Sequence, residues 1–140
     1  MADVNKAPSA LNVIDESNLN DIMLSAADPN EAVAYFQKSS ADNPERIDLK
    51  RGLASALVRA GRASESLPVW KAITQHSDSE NSDLVDYADA LIRANNWPEA
   101  ETVLDSVPPT FESFKRYRLE AMIADGNEEW TKSDTSPAAS

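Results

Sequence analysis

Few residues in this chain are of a type that could do chemistry, and their spacing argues against it. There is no cysteine, and the one histidine, His76, sits in the polar run His-Ser-Asp-Ser-Glu. A metal-binding or general-base role needs convergent partners, and no second imidazole or any thiolate is in the sequence. The carboxylate pairs Glu99/Glu101 and Glu128/Glu129 are two and one residues apart. On a helix such neighbours do not face each other, so they read as solvated faces rather than an acid/base pair. No Ser-His-Asp spacing, nucleophile elbow or phosphate loop occurs, and three glycines leave little for a Gly-rich cradle. The expectation is a non-enzymatic protein with no catalytic residue, no cofactor and no metal.

Arg59 and Arg93 remain, 34 residues apart on a chain of net charge −11. Arginine makes forked, charge-assisted bonds to carboxylates. One reading is a ladder that grips an acidic side chain or C-terminus of a partner. The other is that both arginines pair with nearby Asp or Glu and only solvate the surface. The acidity itself argues against nucleic acid and against an anionic membrane surface, because no run of Lys or Arg is longer than two. No apolar run approaches the ~20 residues needed to span a bilayer.

The elements that would position these arginines come from a repeat. The chain has 140 residues, 41% of them hydrophobic, with Ala, Leu, Glu and Lys abundant. These residues propagate helices because they lose little side-chain freedom there. Sliding the sequence against itself by 34 aligns Ala32, Ser66 and Ala100, all small, and Phe36, Trp70 and Leu104, all large and apolar. Ser39, Ile73 and Val107 follow; Leu19, Leu53 and Tyr87 precede, with Met23, Leu57 and Leu91. Each unit reads as two amphipathic helices, for example about Ile47–Ala60 and Ser64–Gln75, with Trp70 in the core. Gly61 and Asn95 hold the left-handed place that ends a first helix. Asp28-Pro29 and Asn96-Trp97-Pro98 open second helices, and Asn43-Pro44 closes the first unit. Pro68 conflicts with this pattern and predicts a late start or slight kink.

The fourth unit starts one residue out of phase. Its first helix reads as about Phe114–Asp125, a second would start near Glu128, and the connection 106–113, with Pro108-Pro109, absorbs the shift. The expected fold is all-α: a right-handed α-solenoid of about three and a half stacked antiparallel helix hairpins. A disordered segment at 1–11 precedes a repeat domain at 12–133, with repeats at about 13–46, 47–80, 81–113 and a partial 114–133; a disordered tail at 134–140 follows. The end of the array is either a cap or a cut, and a cut would leave Met122, Ile123 and Trp130 partly exposed.

These residues resemble the tetratricopeptide family, whose motif asks for small residues where helices cross and large ones between them. Leu53-Ala54, Leu57, Gly61, Ser66, Trp70 and Ile73 meet it, as do Tyr87-Ala88, Leu91, Ala100, Leu104 and Val107. Ser66 in place of the usual alanine and Asn20 at a small-residue position depart from it. The runs Leu11–Met23, Asp28–Val33 and Asp89–Trp97 resemble, more narrowly, the TadD-type lipoproteins of the bacterial tight-adherence (Flp) pilus assembly system. That resemblance implies a periplasmic, outer-membrane-associated protein, although the lipidated cysteine of such lipoproteins is absent; a cytoplasmic setting is the alternative.

The resemblance also implies where binding would occur, because first-helix residues line the concave groove of such arrays. Carried over, the candidate positions are Asp21, Arg51, Ser55, Val58, Arg59, Asp89, Ile92, Arg93, Arg118 and Met122. The lysine–asparagine clamp of the family's chaperone-binding members is not matched, the equivalent places holding Ser17, Asp21, Ser55, Val85 and Asp89. The expected function is a scaffold that holds a partner peptide or helix, in pilus or secretion assembly if the narrower resemblance holds. A purely structural stretch of a longer array is the alternative.

Overall fold

Helix formers dominate the sequence, and helix is the regular structure found in the computed structural model, which describes residues 18–25 and 27–139, with side chains through residue 126. Residues 18–25 form α1; then follow α2 (Pro29–Asp42), α3 (Ile47–Arg59), α4 (Ala63–Thr74), α5 (Asn81–Arg93), α6 (Trp97–Asp105) and α7 (Phe114–Ala139). The chain divides into two units, Met1–Arg62 and Ala63–Ser140. In the first, α2 packs on α3; in the second, α4 packs on α5, α5 on α6, and α7 on both α5 and α6. The all-α class is as expected. The 1–11 segment and Ser17 lie outside the described residues, and so does the Trp130 side chain.

The 34-residue alignment is visible in burial. Ala32, Ser66 and Ala100 are each 0% exposed, and Phe36, Trp70 and Leu104 are all buried. A small side chain at each of these positions lets another helix approach closely. Ser66 adds a hydroxyl there, and it donates to the Ala63 carbonyl within its own helix. Asn20 is accounted for in the same way: its side chain accepts from the Tyr35 hydroxyl and so ties α1 to α2. The Trp70 indole N–H is buried with no acceptor among the described residues.

The helix ends repeat as well. Gly61 has φ 76° and Asn95 φ 64°. At the end of α3, Arg62 N–H donates to the Leu57 carbonyl and Gly61 N–H to Val58. At the end of α5, Asn96 donates to Leu91 and Asn95 to Ile92. This is the same paired bond pattern 34 residues on, and it satisfies carbonyls that the helix leaves orphaned. At the other end, the Asp28 carboxylate accepts from Asn30 and Glu31 N–H, with Pro29 in the first turn. Asp83 accepts from Glu80 N–H at 2.8 Å and opens α5. Arg46 forks onto Asp48 at 3.2 and 2.7 Å; that bond, partly opposed by burial, holds the carboxyl below its ordinary value.

Two local expectations are refined and one is corrected. Asn96 does open α6, with Pro98 in the first turn, but its side-chain amide donates to Glu99 at 2.8 Å instead of accepting from the helix. Of the two readings of Pro68, the late start is not seen: α4 begins at Ala63 with Pro68 inside it, so the Ser64 carbonyl forgoes a helical donor. Helix α7 does not turn near Gly126 to begin a second arm at Glu128 but runs on to Ala139. The physical reason is at Gly126 itself: a Cβ there would lie 3.1 Å from the Trp97 ring, so the bare backbone serves as a seat for the indole. Glycine in a helix costs only about 1 kcal/mol, which this contact offsets.

Gly52 has a stricter requirement. A Cβ at this position would lie 2.5 Å from the buried Phe36 ring, inside any possible contact. Alanine would gain about 1 kcal/mol of helix propensity but must displace a packed aromatic ring. Gly52→Ala is expected to destabilise the chain by a net ~1–3 kcal/mol in urea unfolding.

Candidate interaction surface

In the first unit, α3 presents Arg51, Ser55 and Val58 at steps of four and three residues, which places them on one face, all half-exposed. Asp21 on α1 is exposed. Arg59, at the end of α3, is turned inward to the chain's own backbone: its guanidinium donates to the carbonyls of Met23 and Leu24, the last turn of α1. Those carbonyls lack helical donors, and a cation there also complements the helix dipole.

In the second unit, Arg93 Nε donates to Asp89 Oδ1 at 3.1 Å. Lys115 on α7 bridges Asp86 at 2.7 Å and Asp89 at 3.3 Å. The network joins α5 to α7 and neutralises Asp89, a buried carboxylate. Each arginine of the sequence pair thus has an intramolecular acceptor. Ile92 is 5% exposed and belongs to the core. Arg118 and Met122 on α7 are exposed. Among the ten groove positions, then, Ile92 and Asp89 offer a partner almost no surface, whereas the α3 face and the exposed side of α7 offer continuous ones.

Sequence reasoning missed Arg116. It is 8% exposed, although it sits in the basic run Phe-Lys-Arg-Tyr-Arg. Its Nη1 donates to the Pro108 carbonyl at 2.6 Å and the Phe111 carbonyl at 2.9 Å; Nη2 donates to Val107 at 3.2 Å. Its Nε reaches Glu120 at 3.4 Å. The guanidinium therefore gathers the carbonyls of the Pro-Pro connection and ties them to α7. The available signal was the dipeptide Pro108-Pro109, which removes N–H donors where the chain must turn.

Beside it, a cavity of ≈ 290 Å³ lies between α6 and α7, floored by Leu104, Ile123 and Ala124 and rimmed by Glu101, Asp105 and Glu120. Ile123, expected to be partly exposed if the array is cut, is buried, while Met122 is 40% exposed. His76 accepts at Nδ1 from Asp78 N–H at 3.0 Å, a local turn contact. Among the described residues no group of three or more His, Cys, Asp or Glu could hold a metal ion. Among them, too, no helix is long and apolar enough to cross a membrane. No family model, curated protein or solved structure matches the chain.

Two measurements follow from these contacts. Arg116→Met keeps the side-chain stem but removes the guanidinium donor from the Val107 and Phe111 carbonyls, while the Pro108 carbonyl keeps the Phe111 N–H at 3.0 Å. It is expected to cost about 2–4 kcal/mol in urea unfolding, against about 0.5–1 kcal/mol for Lys115→Met at its half-exposed pairs. The second concerns Tyr87, whose hydroxyl lies 3.4 Å from Glu99. Burial, and then the Glu99 charge and hydrogen bond, raise the phenol above its ordinary 10.0. A raised folded value favours the neutral phenol, so this stabilisation is complete below pH ~10 and is lost as pH rises through the higher folded value. Stability should fall on the alkaline side, and Tyr87→Phe should flatten that fall in thermal melts taken across pH.

Proposed function

We propose that the chain is a non-enzymatic interaction scaffold of tetratricopeptide type, an α-solenoid of about three and a half helix hairpins that holds a partner peptide or helix. The observation that carries this reading is the recurrence at 34 residues: the same buried small residue, the same large apolar neighbour and the same pair of helix-ending bonds. Repeats of this kind use side chains on first helices for recognition. The half-exposed α3 face of Arg51, Ser55 and Val58 is the first-unit surface best suited to it. Its mixture of cation, hydroxyl and branched apolar group fits an extended or helical peptide better than a small molecule.

The narrower setting, Flp/Tad pilus or secretion assembly at the periplasmic side of the outer membrane, is supported by the sequence resemblance alone. A structural stacking role within a longer array is the second reading, favoured by the exposed apolar residues of α7.

Cross-linked affinity capture from native membrane extract tests both levels. Pilus or secretin components should be recovered, and Ser55→Glu with Val58→Asp should reduce that recovery several-fold without changing the melting temperature. Recovery of cytosolic chaperones alone would defeat the pilus setting. Recovery indifferent to both substitutions would defeat the α3 face.

A further inference from the structure

Among the described residues of the second unit, the outer side of α7 carries the large exposed apolar side chains. Phe114 is 83% exposed, Tyr117 51% and Met122 40%. With Arg118, Ala121 and Asp125 they fall at helical steps from residue 114, so they form one stripe. The opposite side, Arg116, Leu119 and Ile123, is buried. Exposed aromatic and methionine side chains around an arginine have the composition of an interface core rather than of ordinary solvated surface.

The charges of the stripe say what could cover it. Lys115, on one flank, is already neutralised by Asp86 and Asp89; Glu120, on the other, faces Arg116. Arg118 and Asp125 are exposed and make no hydrogen bond or ion pair among the described residues. They are seven residues apart, about 10.5 Å along the axis, too far to pair with each other. Between them lie Ala121 and Met122.

That order is self-complementary. If a second α7 lies antiparallel on the first, with a two-fold axis passing between Ala121 and Met122, Arg118 of each copy falls opposite Asp125 of the other. Met122 then falls opposite the small Ala121, which leaves room for it. Phe114 lies one turn outside each ion pair and would shield it from water. An isologous contact has this form, with residue i meeting j and j meeting i.

We infer that the outer face of α7 is a self-association surface, on which a second copy of this chain docks antiparallel through reciprocal Arg118–Asp125 pairs around an Ala121/Met122 centre. One helix face is a small interface, so the dimer is weak and reversible, with a dissociation constant on the order of micromolar to millimolar. The net charge of −11 on each copy opposes long-range approach, and at physiological ionic strength that repulsion is screened beyond ~8 Å.

Sedimentation equilibrium of the full chain, in physiological salt and up to about 1 mM, tests this. The wild type should show a monomer–dimer equilibrium. Arg118→Asp and Asp125→Arg should each weaken it about tenfold or more, and the double variant, which restores opposite charges across the axis, should regain most of the loss. All three chains should keep the wild-type helicity and melting temperature, since both positions are exposed. A chain that stays monomeric throughout overturns the proposal. So does a dimer indifferent to the single substitutions, or a double variant no tighter than the singles. Neither residue lies on α3, so partner capture by Arg51, Ser55 and Val58 succeeds or fails independently of this result.

Discussion

Close approach of helix to helix is the constraint on which most of this structure depends. Ala32, Ser66 and Ala100 are small and wholly buried, as such an approach requires. A residue such as Phe36, Trp70 or Leu104 can fill the space one turn on only if the crossing point stays narrow. Gly52 is the extreme case, where even a methyl group would collide with Phe36. Ser66 shows that the requirement is for size and not for polarity, since its hydroxyl is satisfied within its own helix.

This constraint explains which parts of the fold were legible in the sequence. Small and large residues at a fixed spacing mark both the helices and their crossings, and the left-handed positions at Gly61 and Asn95 mark where first helices end. The repeat phase put a second arm at Glu128, but α7 is one helix, and Gly126 stands where the turn was expected. A glycine after a helical run usually signals its end, but here the missing Cβ makes room for the Trp97 ring and the helix continues. Arg116 was illegible for another reason. Its acceptors are backbone carbonyls of a connection, and carbonyls have no sequence signature; only the path of the loop brings Val107, Pro108 and Phe111 to one guanidinium. The candidate surface divides along the same line. The family resemblance put Ser55, Val58, Arg118 and Met122 in a groove, and the structure leaves the first two half-exposed and the last two exposed. The resemblance could not foresee that Ile92 would be drawn into the core, or that α7 would bring Lys115 onto Asp89.

The charges follow a similar economy. Only thirteen residues are basic against twenty-four acidic, so each cation has several possible carboxylate partners. Arg59 is spent on the carbonyls of α1, Arg116 on a loop, and Lys115 and Arg93 on the carboxylates of α5. The first two neutralise partial charges of the backbone rather than full charges of side chains. The acidic surplus gives each copy a net charge of −11, and like charge opposes indiscriminate association.

The shortness of the hairpin connections has a kinetic meaning. Helices α2 and α3 are joined by residues 43–46, α4 and α5 by 75–80, and α5 and α6 by 94–96. Closing so few residues costs little chain entropy, and each closure is rewarded at once by burial of an apolar stripe. No distant pairing has to be found first, unlike a sheet whose neighbouring strands are far apart in sequence. Structure gained from contacts between sequence neighbours is the pattern that goes with rapid folding. Either unit can begin the process, so a growing polypeptide can secure its first hairpin before the last helix has been synthesised.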